Sequence, residues 1–224
     1  HPGQRQGNHG GPERLGNGAR SVLGDQQGRG LLKSMLGFSL IELIVGILIV
    51  GVLMSIGIPA FSDWLRNARV RTAAESVLNG LQLARAEAVR RNTAVGLGLM
   101  TTLDDSCALD NAGPNWVVSL DDPAGQCATP PSDTVAPRII QIRSGTEGSA
   151  ATTVAAGQSA FVFNSLGRLT PLPGGDIAID IASSTGGTCM ASGGKVRCLR
   201  IVVSIGGQIR MCDPALPAGD AQAC

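Results

Sequence analysis

One carboxylate stands inside a stretch that otherwise carries no charge. Residues 38–61 are 24 positions of apolar and small side chains interrupted only by Glu42, which lies five places after Gly37. A carboxylate in hydrocarbon is unfavourable by about 2.5 to 3.5 kcal/mol at the centre of a bilayer, and by less near its surface. Glu42 therefore predicts a specific positive partner, met where apolar surfaces close around it. The second chemistry is that of sulfur. Cys107, Cys127, Cys189, Cys198, Cys212 and Cys224 all follow the apolar run and none belongs to a Cys-x-x-Cys pair, a pattern that reads as disulfides made in an oxidising compartment such as the periplasm. Many connectivities are open to six cysteines. Closing short loops between sequence neighbours favours Cys107 with Cys127, Cys189 with Cys198 and Cys212 with Cys224.

Other chemistries find no support. Both histidines, His1 and His9, precede the apolar run, so the rest of the chain has no histidine base, no Ser-His-Asp triad and no histidine-containing zinc site. Residues 28–34 place Leu32 directly before Lys33, where a phosphate-binding loop requires glycine. Asp104, Asp105, Asp110, Asp121, Asp122 and Asp133 lack the Asp-x-Asp-x-Asp-Gly spacing of a calcium loop and read as solvated loop acids. No metal, no cofactor and no enzymatic activity is predicted. The net charge of +1 hides a division, because residues 1–37 carry five basic and two acidic residues; removing that +3 leaves 13 basic and 15 acidic, or −2. A general nucleic-acid footprint is absent.

These groups need elements to position them. At about 1.5 Å per residue a helix over residues 38–61 covers a bilayer core of about 30 Å, so the run predicts a single membrane-spanning anchor. Pro59 removes a helical hydrogen bond and predicts a kink or local melting. Beyond Phe61, Val70, Ala74, Val77, Leu81, Ala84 and Ala88 alternate steps of four and three, one face of an amphipathic helix over 62–93. Arg66, Arg69, Glu75, Arg85, Arg90 and Arg91 fall largely elsewhere and read as a solvated face. The helix ends near Asn92, with Arg90 and Arg91 favourable against its C-terminal dipole. Strand-like runs follow at 95–100, 115–120, 138–142, 161–163, 177–181, 198–204 and 209–211, separated by glycine and proline. The last two flank Ile205, Gly206 and Gly207 as a hairpin. Residues 101–114 and 121–137 are loops. An antiparallel sheet wrapped on the amphipathic helix would bury Trp116, Phe161 and Phe163. Residues 1–30, rich in Gly, Arg, Gln and Asn and beginning with His, read as unstructured. The basic Arg29 and Lys33 lie closest to the apolar run, with the residues before them read as an upstream or misassigned start. The positive-inside bias keeps that side cytoplasmic and directs the C-terminal domain outward.

The stretch Gly37-Phe38-Ser39-Leu40-Ile41-Glu42-Leu43 and the apolar helix after it resemble the class III signal of type IV pilins and type II secretion pseudopilins. The resemblance implies a leader over 1–37, a prepilin peptidase that cuts after Gly37 and N-methylates Phe38, and pairing of Glu42 with a neighbouring subunit's terminal amine. Gly51 and Pro59 fall where pilins place a helix-bending glycine and proline. A narrower set, residues 81–92, Trp116-Val117-Val118 followed by Asp121, residues 163–168, and residues 200–212, is similar to the GspH/FimT family of minor pseudopilins and pilins. It implies an α+β fold: a long N-terminal pilin helix, transmembrane in its first half, packed on an antiparallel β-sheet or sandwich head over 94–224. The chain would then be an inner-membrane, single-pass protein with a periplasmic head. It would join other pilins in a type II secretion or type IV pilus filament and help to initiate or cap it. The segment from Cys212 to Cys224 looks more like the disulfide-closed tail of type IV minor pilins.

The alternative implied by the FimT branch is DNA binding in natural transformation, with Lys195, Arg197, Arg200 and Arg210 as candidate phosphate contacts. Against it, this chain has Gly207-Gln208-Ile209-Arg210 where that branch carries Gly-Arg-x-Arg, and residues 94–160 set seven acids against Arg138 and Arg143.

Overall fold

The computed structural model describes residues 38–145, 147–148 and 150–224. The expected leader, Gly37 included, lies outside them. The chain divides into two compact units, the second covering Gly46–Cys224.

Helix α1 is Leu40–Arg91, 52 residues long and continuous through Gly51 and Pro59, so whatever bending Pro59 imposes leaves the helix intact. Its start is capped. Ser39 Oγ accepts the Glu42 backbone N–H at 3.2 Å, which makes Ser39-Leu40-Ile41-Glu42 a capping-box sequence with its acid in the first turn, favourable against the helix dipole. Its end is equally specified. Asn92 turns left-handed at φ 51°, its N–H donates to Val89 O at 3.3 Å, and the Thr93 N–H donates to Ala88 O at 3.2 Å. That pair of bonds is a Schellman cap, and asparagine is one of the few residues other than glycine to take it cheaply. The face expected to be apolar is the face that is buried: Val70, Ala74, Val77, Leu81, Ala84 and Ala88 are all 2% exposed or less. From Phe38 to Phe61 every described large apolar side chain is exposed instead. Among the described residues no helix is long and apolar enough to cross a membrane.

The head carries two four-stranded antiparallel sheets. One has the order β3-β2-β1-β5, built from β1 (Val95–Met100), β2 (Asn115–Ser119), β3 (Ile139–Arg143) and β5 (Ala160–Phe163). The other is β4-β6-β7-β8, from β4 (Thr152–Ala156), β6 (Ile177–Ser183), β7 (Leu199–Val203) and β8 (Ile209–Cys212). β7 and β8 form the expected hairpin, with Val203 opposite Ile209. Strand β4 was not expected, and Arg138 belongs to the turn before β3, at φ 50°.

The period of two decides what each sheet face touches. Val95, Leu97 and Leu99 of β1 and Trp116 and Val118 of β2 join the buried face of α1 in one core with Ile179, Ile181, Ile201 and Val203 of the second sheet. The opposite face of the first sheet is also covered. Met100, Val117 and Ile139 pack with Cys107 and Cys127, because the disulfide between those cysteines ties the loops 101–114 and 121–137 together over that face. A register shift between Val118 and Ser119 sets Ile139 opposite Ser119, which keeps Ile139 and Ile142 on this outer face. Gly80 lets the sheet approach the helix: a Cβ there would meet Leu97 Cδ1 at 2.7 Å and the Trp116 ring at 3.1 Å.

Candidate functional site

Of the residues expected to serve processing and assembly, Phe38 lies two positions before α1, Glu42 in its first turn, and Gly51 and Pro59 within it. Phe38 is 82% exposed. Glu42 is exposed in the first helical turn, and Ser39 caps that turn through the Glu42 N–H. A Cβ on Gly51 would meet nothing within 4 Å, so glycine is not demanded there by any contact within this chain. Ser39 is a second feature of the motif, since Ser-x-x-Glu before an apolar run announces a helix cap from sequence alone.

The six cysteines pair as neighbours: Cys107 with Cys127, Cys189 with Cys198 and Cys212 with Cys224. The last holds the tail beside β8, where Asp213 and Ala223 form a parallel bridge and the Asp213 N–H donates to Gln222 O at 2.7 Å.

The candidate DNA contacts do not form one cluster of unpaired cations. Arg197 donates through Nε to Asp213, a carboxylate that is 3% exposed. Arg200 and Asp180, register partners on β7 and β6, make a two-pronged pair at 2.7 and 3.1 Å. Arg210 donates through Nη1 to Ala223 O at 3.4 Å, and Lys195 is exposed.

Several arginines and aspartates expected to be merely solvated are in fact paired. Glu87 accepts from both Arg90 and Arg91, and their hydrogen bonds hold its carboxyl below the usual range. Arg91 also reaches Asp133 at 2.6 Å. Arg138 clasps Asp121 with two donors and lowers that carboxyl. Asp104 accepts from the Ser106 hydroxyl, the Ser106 N–H and the Thr102 hydroxyl, which lowers it as well and organises its own loop. Among the described residues no group of acids, cysteines or histidines could hold a metal ion.

Three segments on which the family resemblance rested meet at one place. Arg85 Nε, near the end of α1, donates to Gly167 O at 3.2 Å. The Asn164 side chain closes the turn around Gly167 by accepting the Leu166 and Arg168 N–H groups. Gly207 of the β7–β8 hairpin packs against the Gly167 carbonyl as well.

The architecture is that of a pilin-like chain, one long helix with its second half packed on antiparallel sheets. A family model described as Type II transport protein GspH matches residues 73–207, more than half of the chain. The chain belongs to that family. Its members are structural filament subunits, so the protein is not an enzyme. The match begins beyond Glu42 and Pro59. Two crystal structures of the type IV minor pilin FimU from Pseudomonas aeruginosa are similar at 18% identity and a TM-score of 0.44, covering 63% of this chain and 90% and 87% of theirs. No curated protein matches.

Proposed function

We propose that the chain is a processed, membrane-anchored minor subunit of a type II secretion or type IV pilus filament, helping to initiate or cap it from the periplasmic face of the inner membrane. The observation that carries this reading is the single acid, Glu42, in the first turn of a helix whose described large apolar side chains from Phe38 to Phe61 are all exposed. Apolar surface of that extent calls for lipid before assembly and for neighbouring helices after it. Cleavage after Gly37 would free the amine of Phe38, which is then methylated and remains cationic. A neighbouring subunit's amine would meet Glu42 as apolar helices close around both, and removing either partner would leave a buried charge. Bending at Gly51 and Pro59 would let the helix follow its neighbours.

The decisive variants are Glu42→Gln and Glu42→Ala in cells. Each should give a processed protein in the membrane fraction that is missing from sheared filaments, measured by immunoblot. Wild-type incorporation of Glu42→Gln, which keeps the backbone donor of the cap and removes only the charge, would contradict the proposal. The DNA reading gains no support from candidate contacts that do not cluster, Arg200 being held by Asp180 on the neighbouring strand.

A further inference from the structure

The residues just beyond the apolar run form a cleft against the second sheet. Trp64, Ala68 and Arg71 lie one helical turn apart on a single face of α1. Opposite them stand Arg197, Leu199 of β7 and Met211 of β8, around a space of about 380 Å³, within the range of small-ligand sites. Its walls are of two kinds. Trp64, Ala68, Leu199 and Met211 give an apolar slot, and Arg71, Arg197 and the buried Asp213 carboxylate give the polar side. Asn67 ties the walls together, its Oδ1 accepting the Arg197 N–H at 2.9 Å.

The charged residues that line the cleft are Arg71 and Arg197 against Asp213, a balance of +1, while the chain after residue 37 is −2 in all. The nearby acids are Asp63 on Arg66, Glu75 on Arg71 and Asp213 on Arg197. The Arg71–Glu75 pair is solvent-exposed on both sides, so it holds Arg71 weakly and leaves the guanidinium free to exchange partners. Arg197 uses Nε for Asp213 and is itself half-exposed. Phe61 and Trp64, both 63% exposed, stack with ring centroids 5.8 Å apart, and tryptophan is enriched where apolar and aqueous phases meet.

We propose that this cleft binds an anionic phospholipid, with the phosphate between Arg71 and Arg197 and the first part of an acyl chain along Trp64, Leu199 and Met211. The proposal rests on the anchoring reading, which puts Trp64 one turn past the apolar run and so at the depth of the headgroups. A free phosphate would leave the apolar half of the cleft without a function, whereas a phospholipid fills both halves. The attraction of clustered cations to an anionic leaflet falls off within a Debye length of about 8 Å, so only cations at this depth gain from it.

The test uses the full chain reconstituted into phosphatidylcholine vesicles with a minority of phosphatidylglycerol, bromine being carried on the acyl chains of one lipid or the other. Trp116 is 3% exposed and bonded to Ser76 in the core, so quenching reports on Trp64. Brominated phosphatidylglycerol should quench at least about twofold more than brominated phosphatidylcholine at equal mole fraction, and Arg71→Gln, whose partner is exposed, should remove that excess without loss of fold. A chain that floats with the vesicles and is quenched equally by both lipids overturns the lipid site alone. A chain that does not float with them overturns the anchoring reading, and this one with it.

Discussion

Gly207 stands so close to Gly167 that a Cβ on Gly207 would lie 1.9 Å from the Gly167 carbonyl oxygen, and its own φ is +80°. The hairpin that closes the second sheet and the turn that closes the first are thus in backbone contact, and the same carbonyl accepts from Arg85 of α1. Any side chain at Gly207 must both take a left-handed backbone and push these segments apart. Gly207→Ala should cost at least about 2 kcal/mol, a fall in melting temperature of roughly 4 to 8 °C for a protein of this size. Gly206→Ala is the control: a Cβ there meets only Ser204 Oγ at 3.8 Å, and thermal melting should barely change. Equal melting of the two variants would show that the contact does not matter.

The last turn of α1 should make the protein sensitive to acid. Hydrogen bonds from Arg90 and then Arg91 hold the Glu87 carboxyl below the usual range. A carboxyl lowered on folding contributes stability that is fully present above its unfolded value and is lost as pH falls through the folded one. Glu87→Gln should therefore destabilise by about 1 kcal/mol at neutral pH and by progressively less as pH drops below the ordinary carboxylate range. Chemical denaturation of both proteins at several pH values checks this, and a difference that does not narrow in acid would refute it.

What was legible in the sequence was what is local. The amphipathic half of α1 is plain because six residues recur at helical spacing and all are buried, and its end is announced by Asn92. The disulfides could be read because each joins sequence neighbours, across β2, just before β7 or just after β8. Strand β4 was missed because Thr-Thr-Val-Ala-Ala has little apolar contrast and only Val154 is buried in it; as an edge strand it owes its place to β6 alone. The outer face of the first sheet was also invisible, since loops full of aspartate read as solvated until Cys107 and Cys127 lay them over Val117 and Ile139. Ion pairs such as Arg200 with Asp180, 20 residues apart, follow from strand register, which no local pattern specifies. Phe38 to Glu42 carried a family motif and a helix cap in the same five residues, and the first obscured the second.

The tail makes the remaining prediction. Residues 213–224 are held beside β8 by the Cys212–Cys224 bond, by the Asp213–Ala223 bridge and by the buried Asp213 carboxylate, which accepts from Arg197 and from the Ala215 N–H at 2.8 Å. Closing a loop of this length by a disulfide contributes roughly 3 kcal/mol. Replacing both cysteines by alanine removes that constraint and leaves, among the described residues, the Asp213 contacts and the Arg210 bond to Ala223 O as the clasp. The double variant should melt several degrees lower and be clipped within 213–224 by a nonspecific protease while the rest of the head stays intact. Adding Asp213→Asn should deepen the effect, because the Arg197 guanidinium then loses its charged acceptor. The non-additive part of the triple variant, read by limited proteolysis and thermal melting, measures how far disulfide and carboxylate hold the tail as one unit.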